Sequence, residues 1–263
     1  MSAVGLILTI FVVILIYMIF RYMFYSTNTL TSVQSGKTAS IIPASQLPNT
    51  TSGTAATNFT YSAWINIDNW NYRYGQPKVI LGRMSGKSSD GSGSGIEGIY
   101  GANPCPVLAL GAVENTATCA LACYGGLQDT GSTISTDISG NQSKTAIHTC
   151  MIGNVPLQSW VHLAIVVNNL TMDFYMNGKI VRTCLLPGPA AIDSSADLYI
   201  TPNGGFEGYT ANIQYWAAPK NPQEIWNIYQ KGYSSSLFGS MFNTYSLQVS
   251  VTENGVTQGS VSI

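Results

Sequence analysis

The dipeptide Asn177-Gly178 narrows the folds open to this chain more than any other pair of residues. A type I′ turn needs positive φ at both central positions, which Asn and Gly adopt at little cost. The dipeptide lies between Met172-Asp-Phe-Tyr-Met176 and Lys179-Ile-Val-Arg182. Upstream, Trp160-Val-His-Leu-Ala-Ile-Val-Val167 reads as a strand that turns at Asn168-Asn169. Three successive antiparallel strands are expected over 160–182. FTYSAWINI (59–67), Lys78-Val-Ile-Leu81, LYI (198–200) and ANIQYW (211–216) add more. One helix follows: Asn221 is placed to cap it, Pro222 takes its first position, and Glu224 the capping-box position. Ile225, Ile228 and Tyr229 share its face, and Gly232 can end it. Many short strands with one late helix predict an all-β sandwich or jelly roll.

At the other end of the chain, Ala3 to Phe20 is uncharged and almost wholly apolar, and the stretch to Tyr25 is interrupted by Arg21 alone. About 23 residues at about 1.5 Å each would cross a bilayer with some tilt. No Lys or Arg precedes it and bulky aromatics follow, which favours a retained anchor over a cleaved signal peptide or a core helix. Arg21 and Lys37 lie after it, so the cation bias leans towards a cytosolic sandwich.

Removing this segment removes one cation, so it does not explain why only 9% of the 263 residues are charged, against about a quarter in soluble proteins. With a net charge of −1, the chain lacks the basic stripe that neutralises phosphates, which excludes nucleic acid as an electrostatic partner.

Residues 26–57 are rich in Ser, Thr, Asn and Gly and show no period, which reads as a tether or as an arm ordered against a partner. Residues 234–263 alternate at Leu247, Val249 and Val251 and turn at Asn254-Gly255, predicting a terminal β-hairpin that completes the domain's own sheet or adds to a neighbour's. The expected domains are an anchor (1–25), a Ser/Thr-rich tether (26–57), a β domain (58–233) and a tail (234–263).

The order of these motifs carries a resemblance. The aromatic FTYSAWINI strand, the Trp160-x-His162 strand, the Tyr175-x-Asn-Gly178 hairpin and the late Glu224-Ile225 helix resemble the laminin-G-like, concanavalin A-like jelly-roll family over about 58–233. The resemblance implies two facing antiparallel sheets, one of them often a binding face, and a structural His162. The fold expected is thus a laminin-G/concanavalin A-like jelly roll with an N-terminal transmembrane helix and one short late helix. Gly86 to Met151, long and holding four cysteines, departs from the family pattern. On architecture and composition the chain also resembles membrane-anchored virion proteins of large DNA viruses.

Candidate chemistry is sparse. Glu97, Glu114, Glu207 and Glu224 are isolated, and Asp193 and Asp197 fall in a loop, so the paired carboxylates of a glycosidase are not apparent. Cys105, Cys119, Cys123, Cys150 and Cys184 allow disulfides or buried thiols; Cys119, Cys123, His148 and Cys150 also have zinc-ligand spacing. Asp129, Asp137 and Asp173 are the candidate calcium carboxylates, though no ligand pattern points to a site. Sequons at Asn49, Asn58, Asn141 and Asn169 can be used only in a secretory lumen. Trp70, Tyr72 and Tyr74 are candidates to stack on sugar rings.

No cofactor is expected, nor an enzyme. Low charge suits a surface packed among neighbours. The reading is a single-pass structural protein, a minor capsid component linking an internal viral membrane to the shell, with the β domain on the capsid-facing, cytosolic side. Its partners would be the bilayer and neighbouring capsid or membrane proteins. The alternative is a membrane-displayed glycan-binding or adhesion module.

Overall fold

The structure, a computed structural model, describes residues 11–15, 17, 28–48, 56–84, 104–124, 133–136, 142–233, 248–253 and 256–262. Two antiparallel sheets face each other. The strands are β1 (Thr29–Thr31), β2 (Gln34–Ser35), β3 (Ser40–Ile42), β4 (Phe59–Asn69), β5 (Lys78–Met84), β6 (Pro104–Leu110), β7 (Ala117–Tyr124), β8 (Thr133–Thr136) and β9 (Gln142–Ile152). They continue as β10 (Trp160–Asn168), β11 (Thr171–Met176), β12 (Lys179–Leu185), β13 (Leu198–Ile200), β14 (Glu207–Trp216), β15 (Gln248–Glu253) and β16 (Val256–Ser262). The first sheet has the order β1-β14-β4-β10-β11-β12, with β2 also on β14; the second has β3-β13-β5-β6-β7-β9-β8.

The first sheet forms where the residues alternate. Phe59, Tyr61, Ala63, Ile65 and Ile67 of β4 and Val161, Leu163, Ile165 and Val167 of β10 all face the core between the sheets. Their neighbours face outward, where α1 (Pro222–Gln230) packs Ile225 and Ile228 on Ala164, Val166 and Tyr175. The expected capping box is present: Asn221 Oδ1 accepts from Glu224 N at 2.9 Å, and Glu224 Oε2 from Asn221 N at 2.8 Å. Asn177 and Gly178 take φ of 49° and 74°, the turn their sequence predicts.

Two features differ from the sequence expectation. First, residues 29–42 are not a bare tether. β1 and β2 lie along β14, and β3 pairs with β13. The arm is polar because its backbone is satisfied by the ladder rather than by apolar packing. Gly36 N donates to Gly208 O at 2.7 Å and Phe206 N to Gly36 O at 3.1 Å. A side chain at Gly208 (φ 142°) would collide with the Asn66 carbonyl.

Second, 104–152 supplies four strands of the second sheet, β6 to β9. Among the alternatives open to the cysteines, Cys150 on β9 is disulfide-bonded to Cys184 on β12, Cα to Cα 6.1 Å, tying one sheet to the other.

The apolar segment 3–25 lies mostly outside the described residues; those described, 11–15 and 17, are helical. Among the described residues no helix is long and apolar enough to cross a membrane. The terminal hairpin forms as β15 and β16, a two-stranded sheet of its own, while its Asn254-Gly255 turn lies outside the described residues.

Candidate functional site

The arm, β14 and β4 define two ends of the sandwich. At one end Tyr215 N donates to Asn28 O, and Val167 pairs with Phe59. From Asn28 the arm runs along β14 to the other end, where β4 finishes at Asn69 and β14 starts at Glu207. This second end, the rim, gathers Lys37, Asp68, Arg73, Lys78 and Glu207 from a chain with little charge to distribute.

Loop 70–77 is built by fixed contacts. Trp70 Nε1 donates to Val113 O at 3.0 Å and Gly75 N to Ala112 O at 3.0 Å, joining it to loop 111–116. The Lys78 ammonium lies 4.6 Å from the Trp70 ring centre. Burial, with Arg73 nearby, lowers its pKa. Lys37 Nζ contacts Glu207 Oε1 at 2.6 Å and lies 4.6 Å from the Tyr72 ring centre. Their hydrogen bond raises the Lys37 pKa and lowers that of Glu207, keeping both charged. Arg73 donates to Gln76 Oε1 at 3.0 Å and, on its other side, to the Asn203 carbonyl. Tyr74 is 60% exposed.

Backbone strain collects here as well. Arg73, Thr201 and Asn203 have φ of 52°, 44° and 55°. A β-branched residue in this region is a true outlier. Thr201 is held there by its hydroxyl on Thr38 O (2.7 Å) and its amide on Ile80 O (3.0 Å). Such strain persists only where surroundings over-determine it, and it concentrates at functional sites.

Of the residues proposed to stack on sugars, the structure keeps Tyr74 open and gives Trp70 and Tyr72 to intramolecular contacts. Lys37, Arg73, Asn203 and Glu207 were not singled out as a site, because residues 37 and 207 meet only through the arm. The one local signal was the turn-rich Thr201-Pro-Asn-Gly-Gly205 run.

A second cluster lies on the outer face of the first sheet. The Trp64 and Tyr229 rings stack at 5.6 Å, and Trp160 and Tyr233 at 4.3 Å. Beside them His162 Nε2 lies 2.8 Å from Ser62 Oγ. Both residues are buried, and burial lowers the His162 pKa to about 3. A base must reach a substrate proton with a pKa near the working pH; this pair does neither, and His162 is structural. Trp64 Nε1, Asn66 Oδ1 and His162 Nδ1 are buried without hydrogen-bond partners.

The cysteines do not assemble zinc. Cys150 is bound to Cys184, and among the described residues no three His, Cys, Asp or Glu side chains converge on a metal position. Cys119 and Cys123 remain buried thiols; burial pushes Cys123 up to about 12, Cys105 up to about 11, and Cys119 higher still. Asp173 accepts from Thr183, Asp193 from Ser195 and Asp197 from Ala44 N, the last joining residues 153 positions apart. Asp129 and Asp137, the other calcium candidates, lie outside the described residues, as do Glu97 and the sequons at Asn49 and Asn141.

Two facing antiparallel sheets, an arm closing the edge of one and a loop-built rim define a lectin-type β-sandwich. A family model of the concanavalin A-like lectin/glucanases superfamily, Laminin_G_3, matches residues 43–226. The chain belongs to that family.

Solved structures with a similar fold include the receptor binding domain of botulinum neurotoxin C/D mosaic serotype, at 12% identity and TM-score 0.49, covering 78% of this chain and 43% of that one. The receptor binding domain of botulinum neurotoxin D gives 13% and 0.47, covering 77% and 44%. The botulinum neurotoxin serotype G binding domain gives 11% and 0.44, covering 75% and 46%. The chain thus spans less than half the length of these structures. No curated protein matches its sequence.

Proposed function

We propose that the chain is a non-catalytic binding module, anchored to a membrane by residues 3–25, that recognises glycan or protein receptors through the rim. One observation carries this reading: Lys37, Asp68, Arg73, Lys78 and Glu207, the left-handed Arg73, Thr201 and Asn203, and the exposed Tyr74 meet at the sandwich end away from Asn28, where the arm begins. Arg73, Asn203 and the Lys37–Glu207 pair offer donors and acceptors to hydroxyls, and Tyr74 an open face. Screening the full chain in nanodiscs on a glycan array, beside Y74A and R73A, tests it. Specific binding that both variants weaken supports the rim; binding that neither changes removes it.

The Cys150–Cys184 bond supports a sandwich held on an oxidising side of the membrane. This runs against the lean of Arg21 and Lys37. Protease protection of sealed vesicles decides between the two orientations.

A different observation favours the second reading, a minor capsid component between an internal viral membrane and a protein shell. β12 is an edge strand of the first sheet, with Ile180, Val181 and Leu185 exposed, the last at 73%. Long apolar edges template pairing with other chains. Co-purification with a membrane-containing icosahedral particle, lost on I180K/L185K, would favour this linker role over receptor binding.

A further inference from the structure

We infer that Asn169 is a site of N-linked glycosylation, an inference that rests on the oxidising-side reading. Asn169-Leu170-Thr171 forms the turn between β10 and β11, and its first two residues are exposed. Asn169 has φ of 52°, so its side chain stands on a left-handed turn rather than within a ladder.

A neighbouring sequon fixes the orientation of its amide. Asn169 N donates to Asn58 Oδ1 at 2.7 Å. A backbone amide can only donate, so the oxygen of Asn58 must face it. The Asn58 nitrogen is thereby turned to Asn169 Oδ1, 3.5 Å away. Asn169 Oδ1 is used, and Asn169 Nδ2, the atom that carries a glycan, is left on the solvent side. The two sequons are therefore unequal. In the half-buried Asn58 the corresponding nitrogen is the one committed to its neighbour.

The cross-sheet disulfide adds an independent observation. It requires two thiols to lose two protons and two electrons to an oxidising thiol–disulfide partner, of the class found in the lumen where sequons are modified. Glycosylation itself is redox-neutral. Asn169 Nδ2 loses a proton to the transferase's base and bonds to the anomeric carbon of an oligosaccharide on a polyprenyl diphosphate. The carbon–oxygen bond breaks, and the diphosphate leaves with the electron pair. The glycosylated turn is tied to the end of β12, where Thr171 pairs with Leu185 and Leu186 N donates to Leu170 O at 2.8 Å.

The full chain is expressed in cells with a lumenal transferase and treated with peptide N-glycosidase, and the peptide holding residue 169 is read by mass spectrometry. Conversion of Asn169 to Asp is expected in the wild type, T171S and N58Q, and its complete loss in T171A. Mass-tagging of thiols on the same samples reads the disulfide. Unmodified Asn169 with Cys150–Cys184 oxidised overturns the inference and leaves the oxidising-side reading standing. Unmodified Asn169 with both cysteines reduced overturns both. A glycan on Asn58 with none on Asn169 also overturns the inference.

Discussion

The two sheets fill their outer faces with different residues. In the first, β4 and β10 send alternate residues to the core and to an outer face holding Ser62, Trp64, His162 and α1. In the second, β5 and β6 are buried at every position and β7 at nearly every one. Leu81, Leu108 and Cys119 face the core, while Val79, Val107 and Ala109 form a separate buried cluster on the other face. A strand covered on both faces need not alternate, and β4 and β10 are covered too, each buried at seven consecutive positions; the sheets differ in which residues fill the outer face. One sheet holds Ser62 and His162 on its outer side beneath α1; the other buries two cations of β5, Lys78 and Arg83, the latter donating to the Ala196 and Ser194 carbonyls, among otherwise small and apolar residues.

Cutting the link between the sheets should have the largest effect. C150A/C184A removes a bond spanning 34 residues, worth about 4 kcal/mol in the chain-entropy view. Denaturant unfolding with and without reductant checks this; the double variant should be insensitive to reductant.

Overpacking probes the second sheet alone. Ala120 pairs with Val107 and is fully buried, so A120L should cost about 1–3 kcal/mol. The loss appears as a lower denaturation midpoint at unchanged slope.

The first sheet should instead respond to acid. The folded His162 pKa is depressed to about 3, below its ordinary 6.5. Its contribution is present above about pH 6.5 and lost as pH falls towards 3. In that window the unfolded state binds the extra proton, so stability falls by about 1.4 kcal/mol per pH unit. H162Q should flatten that slope between pH 6 and pH 4.

The smallest change is expected at the rim. Y74A should alter stability by less than about 0.5 kcal/mol, while weakening whatever glycan or receptor the array identifies.

These differences also explain what could be read in advance. Asn177-Gly178 and the Asn221 cap were legible because each depends on a few adjacent residues. β4, β10 and β14 were legible because aromatic and β-branched residues gather there in short runs. PCPVLAL (104–110) and ATCALACY (117–124) were not: runs of Ala, Cys and Val have no period when both faces are buried. The arm was misread because its order comes from β14, some 180 residues away. The rim fared likewise: its tyrosines were visible as aromatics, but Lys37 and Glu207 meet only when the arm is laid down.

That arm also sets how the domain bears load. A pull on residue 28 directed away from a ligand held at the rim acts along the axis of β14. The bonds from Thr29↔Gln214 through Thr210↔Gln34 to Gly36–Gly208 are then stretched side by side rather than peeled in turn. The Lys37–Glu207 contact closes the far end of the series. Loaded in this direction, the seam shares the force over all its bonds at once and resists it better than if they were peeled one by one.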